Sequence, residues 1–313
     1  MPRLIAIALA LLCPLAALAT AAPLRVVAAE NFYGDIASQI AGPRAEVRSV
    51  LSNPDADPHL FEVDVDTARA VTDADLVVYN GLHYDTWMTR LLSGTRSPRR
   101  VVVEAAAAAR AAPGSNPHLW YDPAAMQAVA RALALQFAAI DPSHRALYEQ
   151  RLATFLASMR PFSAEIARIR SRYAGVTVAA TEPVADYLVA ALGLTMRERR
   201  FQLAVMNDTE PSARDTAAFE QDLRRHRVRA LIYNRQATST SVERLLGIAR
   251  QAGVPIVAVT ETEPAGRSYQ QWMLGELGEL GRALASASSQ TALAPRTASP
   301  ARSTSPPGTG PPP

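Results

Sequence analysis

The sequence predicts an α/β fold of two lobes, each built on a parallel sheet, with a long helical connector between them. Three observations carry this expectation. Short apolar runs alternate with amphipathic stretches along the chain, the pattern of parallel strands covered by helices. The runs fall into two sets of about four, and 313 residues suit about two domains. Between the two sets, residues 124–173 show helical spacing and no strand-like run.

Taken in order, residues 1–21 read as a secretory signal. Arg3 supplies the positive start, residues 4–19 the apolar stretch, and Ala19-Thr20-Ala21 a small-residue cleavage site. The single cysteine, Cys13, lies inside this segment behind Leu12, which is too large for the residue preceding a lipid-modified cysteine. The expected product is therefore exported, soluble and free of thiols.

Residues 22–140 form the first predicted lobe, with buried strands at 24–29, 47–51, 76–79 and 101–103 and a helix over 124–139. Residues 141–173 are the connector. Asp141-Pro142-Ser143 stops one helix and caps the next, which runs from about His144 to Arg172. Its apolar positions Leu147, Phe155, Phe162 and Ile169 recur at helical spacing. Pro161 falls within it and should kink it. Residues 174–285 form the second lobe, with strands expected at 176–180, 202–205, 230–233 and 256–259. Residues 286–313 are rich in Ser, Thr, Ala, Pro and Gly with no acidic residue, and a disordered tail is expected there.

Composition narrows the function. Apolar residues make up 49% and charged residues 19%, a globular balance with no second long apolar run for a multi-span membrane protein. Every basic residue is arginine, and the net charge is +3. Arg3, Arg296 and Arg302 lie at the ends, so the interval 22–285 balances 29 arginines against 29 acids. A nucleic-acid binder would carry its excess positive charge on the folded lobes; this chain does not.

Without thiols, metal chemistry is confined to oxygen and imidazole ligands. Of the five histidines, His144 and His226 read as solvated helix residues, and His83 as a surface residue past a strand with a lesser prospect as a ligand. His59 and His118 differ, because each sits in a Pro-His-Leu-aromatic turn past the end of a strand, where the preceding proline restricts the backbone. The second lobe offers Glu182 in Thr-Glu-Pro after one strand and Glu261 in Thr-Glu-Thr-Glu-Pro after another. Both occupy carboxyl ends of strands, where open α/β sheets place ligands. Glu263 competes with Glu261, whereas Glu210 reads as a helix-start carboxylate.

Together with Asp57-Pro-His-Leu-Phe-Glu62, residues 74–81, Asn116-Pro-His-Leu-Trp-Tyr-Asp122 and Val254-Pro-Ile-Val, these motifs resemble, in order and spacing, the metal-binding solute receptors of bacterial ABC transporters, the zinc/manganese family. The resemblance spans about 24–285. It implies a ligand cleft between two lobes joined by a long backbone helix, with His59 and His118 from the first lobe and Glu182 and Glu261 from the second holding one divalent ion. The third family position is histidine in the zinc branch and often glutamate in the manganese/iron branch; the fourth is usually aspartate. Zn2+ or Mn2+ is expected, with Fe2+ a further option, because two neutral imidazoles and two carboxylates suit borderline divalent ions. The implied protein is a periplasmic monomer, not an enzyme, that passes its ion to an ABC permease. The rival reading is a secreted metal-dependent hydrolase with Glu263 or Asp208 as general base, although HExxH and GxSxG are absent from the sequence.

Overall fold

A computed structural model describes residues 22–293 apart from 55–57, 59–60, 96, 208 and 238. The first lobe runs β1 (Leu24–Glu30), α1 (Asn31–Ala41), β2 (Ala45–Leu51), α2 (Val65–Asp73), β3 (Leu76–Tyr79), α3 (Thr86–Gly94), β4 (Val101–Glu104), α4 (Ala105–Ala108) and α5 (Pro123–Ile140). The connector holds α6 (Arg145–Ser158) and α7 (Arg160–Tyr173). The second lobe runs β5 (Thr177–Ala180), α8 (Asp186–Ala191), β6 (Thr195–Arg197), α9 (Arg199–Met206), α10 (Ala213–Arg224), β7 (Leu231–Asn234), α11 (Thr240–Ala252), β8 (Ile256–Val259) and α12 (Tyr269–Leu293).

Among the described residues there are two four-stranded sheets, ordered β2-β1-β3-β4 and β6-β5-β7-β8, and every pairing is parallel. In both, the chain leaves the second position, fills the edge, then crosses back over the first strand. That reversal opens a crevice at the carboxyl ends, the place where such sheets bind ligands. The strands form because runs such as Leu76-Val-Val-Tyr bury both faces, as parallel strands under helices must.

Two sequence expectations meet corrections. Residues 202–205 are helical, inside α9, and the fourth strand of the second sheet is β6 at 195–197. Phe201 is buried while Leu203 is 48% exposed, so the apolar residues there follow no strand alternation. β6, with Met196 its one apolar residue, pairs as an edge strand to β5. The second difference is that α12 continues to Leu293, beyond the expected start of the tail at 286. Ala, Leu and Gln in that stretch favour helix. Residues 294–313, like 1–21, lie outside the described residues.

The connector breaks at Met159, two residues before Pro161. Proline has no N–H for the carbonyl of Ala157, so the helix restarts with Pro161 in its first turn. Phe155 and Phe162 on either side of the break are both buried. α5 starts as its residues require, with Asp122 accepting the Ala124 N–H at 2.8 Å and Pro123 opening the helix.

One core cluster runs through both lobes. It joins Val26, Ile36 and Trp120 of the first lobe to Phe155 and Ile169 of the connector and Val178, Trp272 and Leu277 of the second. α12 returns to the first lobe, where the Tyr269 hydroxyl donates to the Trp120 carbonyl at 2.7 Å and Gln270 meets Gln39 and Ser158.

Candidate metal centre

Loops at the carboxyl ends of the two sheets face one another, and three of the four predicted ligands lie there. His118 follows β4 in the first lobe, Glu182 follows β5, and Glu261 follows β8; they are 0%, 5% and 0% exposed. His59 lies outside the described residues. His118 Nε2 stands 3.4 Å from Glu261 Oε2, across the lobes.

Asn116 sets the state of the His118 ring. Its Nδ2 donates to the Pro183 carbonyl at 2.6 Å, and a carbonyl can only accept, so Asn116 Oδ1 is the atom that faces His118. That oxygen accepts the His118 backbone N–H at 2.9 Å and contacts Nδ1 at 2.6 Å. In the neutral ring the proton is therefore on Nδ1, and the Nε2 lone pair points toward Glu261. Nε2 is buried without a hydrogen-bond partner among the described residues, as an imidazole ligand awaiting a Lewis acid would be.

The two glutamates are organised by Asn234, the last residue of β7. β7 lies between β5 and β8 in the sheet, so its end sits between the loops that carry Glu182 and Glu261. The Asn234 amide donates to Glu182 Oε2 at 2.7 Å and to Glu261 Oε1 at 2.6 Å. Two carboxylates held against one nitrogen repel when both are ionised, and a proton or a cation relieves that repulsion. Glu261 also accepts from the Tyr84 hydroxyl of the other lobe at 3.0 Å, and its backbone N–H donates to Gln236 Oε1 at 2.6 Å.

Tyr84 is delivered by a strained turn. Gly81, Leu82 and His83 have φ of 82°, 53° and 65°, a left-handed path that costs non-glycine residues about 1–2 kcal/mol each. The Asp85 carboxylate holds the turn by accepting the Asn80 and Gly81 N–H groups at 2.5 and 2.9 Å. Burial pushes Asp85 up to about 6. Beside it, Glu30 is pushed well above the carboxylate range by burial first and the Asp85 charge second. Asn80 ties this turn to the Pro117 carbonyl at 2.9 Å, next to His118.

His83 itself is exposed and stands apart from these groups. Glu263 is buried, but its backbone N–H donates to Asn31 Oδ1 of α1 at 2.9 Å. Burial first, then the Asp35 charge, raise its carboxyl to about 9. It belongs to the α1 side of the crevice rather than to the Asn234 cluster. Glu210 bonds Ser241 at the surface, and Asp208 lies outside the described residues. Among the described residues no three His, Asp or Glu side chains form a ready-made ligand cage; His118 meets Glu261 directly, and Glu261 shares the Asn234 amide with Glu182. Asn116 entered the sequence reading only as part of its Pro-His motif, and Tyr84 and Asn234 had no part in the predicted site. Position at a strand end could have marked Asn234, but its two partners lie 52 and 27 residues away in the chain.

The fold is similar to that of the periplasmic zinc-binding protein TroA from Treponema pallidum, with a TM-score of 0.71 and 20% identity over 84% of this chain and 99% of that one. It is also similar to FpvC from Pseudomonas aeruginosa in complex with Mn2+, with a TM-score of 0.69 and 21% identity over 85% and 99%. In sequence it is 28% identical over 145 residues to PsaA of Streptococcus anginosus, a manganese ABC transporter substrate-binding lipoprotein. That match covers 42% of this chain and 47% of the relative, about half its length. The family described as zinc-uptake complex component A, periplasmic (ZnuA), matches residues 26–283. Two parallel-sheet lobes and a match of that extent mean that the chain belongs to this family.

Proposed function

We propose that this protein captures one divalent transition-metal ion, Zn2+ or Mn2+, in the periplasm and delivers it to the membrane permease of an ABC transporter. The observation that carries the reading is the meeting of His118 Nε2 with Glu261 Oε2 across the lobes, beside a second glutamate on the same asparagine. His118, Glu182 and Glu261 would bind the ion with His59 as fourth ligand. Two carboxylates neutralise a +2 ion, so it is buried without a large uncompensated charge. Four single contacts would favour Zn2+, which also leads Mn2+ in intrinsic affinity for such a site, whereas bidentate glutamates would favour Mn2+ or Fe2+.

A secreted hydrolase finds no support, because the family is one of transporter substrate-binding proteins and not of enzymes. We further take 1–21 as a cleaved export signal, 22–140 and 174–285 as the lobes and 141–173 as the linker, in a monomeric protein.

The test is elemental analysis of purified mature protein after equilibration with Zn2+ or Mn2+. About one ion per chain is expected. Replacing His59 and His118 together by alanine should abolish binding and leave the circular-dichroism spectrum intact; full stoichiometry in that variant would defeat the assignment. Trp120 lies 5.1 Å, ring centre to ring centre, from His118. Its fluorescence should report the ion, and Trp120→Phe should remove most of the signal.

A further inference from the structure

Outside the ligand cluster, between the lobes, lies a cavity of about 220 Å³ lined in part by Asn116, Pro183, Asp186, Arg199 and Gln202. Two of these residues are bonded across the lobes, Asn116 Nδ2 donating to the Pro183 carbonyl at 2.6 Å. Asn116 orients His118, and Pro183 adjoins Glu182, so residues that line the cavity touch or adjoin two of the proposed ligands. Two oxygens of its lining residues are buried without a hydrogen-bond partner among the described residues: Asp186 Oδ1 and Gln202 Oε1. Gln202 is 1% exposed, and its Nε2 donates to the Arg197 carbonyl at 2.6 Å. This bond fixes which end of the amide is oxygen. A buried acceptor left unmatched costs free energy of the order of a lost hydrogen bond, so two of them on residues that line one cavity point to something that visits it.

The pair selects the visitor. A carboxylate oxygen and an amide carbonyl oxygen are hard donors, and both suit a cation that keeps part of its water shell. Arg199 Nη1 sits 3.3 Å from the other oxygen, Asp186 Oδ2, and offsets its charge. The Arg199 side chain is 67% exposed, so an arriving ion displaces it at little cost.

We propose that this cavity is the vestibule through which the hydrated divalent ion reaches the ligands, with Asp186 Oδ1 and Gln202 Oε1 as its temporary partners and Arg199 as the counter-charge it displaces. The Asn116–Pro183 hydrogen bond is the inner gate. This route rests on the metal-binding reading given above and adds to it the path and the residues that set its speed.

The experiment is stopped-flow fluorescence of Trp120 with Zn2+ as the probe at low ionic strength, with release measured by chelator competition. The measurements compare the wild-type protein, Asp186→Asn and Arg199→Ala. A group on the route changes the barrier in both directions, so its variants should move association and release together and leave Kd nearly constant. Asp186→Asn should slow association by roughly tenfold, the lower end of electrostatic steering effects, and release should slow with it because the ion leaves over the same barrier; Arg199→Ala should speed both. Rates unchanged in both variants, or a change in release alone, would overturn the route while wild-type binding still upholds the metal site. Failure of the wild-type protein to bind Zn2+ would overturn the metal reading and the route with it. Should Asp186→Asn fail to fold, the predicted acceleration in Arg199→Ala decides the matter.

Discussion

At the scale of single residues, the proposed centre depends on neutral amides as much as on its acids and its imidazoles. Asn234 grips one oxygen of Glu182 and one of Glu261, and Asn116 grips the His118 ring. Groups that orient metal ligands in this way typically contribute 10–100-fold to affinity. Asn234→Ala should therefore weaken Zn2+ binding by about that factor with an unchanged circular-dichroism spectrum. A chelator competition that returned the wild-type Kd would show that the glutamates hold their places unaided. The placement of His118, Glu182 and Glu261 beyond strand ends was legible in the sequence, because each stands directly past a strand or in a Pro-His turn. The roles of Asn234, Asn116 and Tyr84 were not, because they arise from partners brought near by folding. Tyr84, for instance, reaches Glu261 over a separation of 177 residues.

At the scale of elements, α12 acts as a brace whose pivot is Glu276. The Tyr121 hydroxyl has one proton but two neighbours, the Thr260 carbonyl at 2.9 Å and Glu276 Oε2 at 2.7 Å. A carbonyl only accepts, so the Tyr121 proton goes to Thr260, and a proton on Glu276 Oε2 completes the second bond. Glu276 Oε1 accepts from the Trp272 indole at 2.7 Å and the Thr260 N–H at 3.3 Å. Burial raises this carboxyl to about 8. Folding thus retains a proton that a solvated glutamate loses near 4.5. The contribution is fully present below about pH 4.5 and fades as pH climbs through about 8. The Glu263 carboxyl, raised to about 9, acts in the same direction. The melting temperature should fall on the order of 5 °C between pH 5 and pH 8.5. Glu276→Gln, which keeps an N–H for Tyr121, should fall less. Parallel pH profiles for the two proteins would refute the neutral acid. Among strands, those with contiguous Val, Ile and Leu could be read directly. β6 could not, since three residues with one apolar side chain carry too little pattern and edge pairing alone defines them.

At the scale of the whole molecule, the two lobes are joined three times: by α6 and α7, by α12 folding back onto α1, and by a core that passes through both. The sequence made the first junction visible through helical spacing and Pro161. The other two were hidden, because the apolar face of α12 matches any covering helix until its partners are known. Three junctions leave little room for a wide hinge, so small-angle scattering profiles with and without Zn2+ should nearly superimpose. A clear drop in radius of gyration on loading would contradict this. Asn116 gives that stiffness a further meaning. The same amide spans the interface to Pro183 and steers the imidazole of His118, so the grip on the cargo and the seam between the halves share a fastener. A transporter that prised the halves apart even slightly would unclip that amide, let the ring turn and loosen its burden in one stroke, with unloading built into the docking itself.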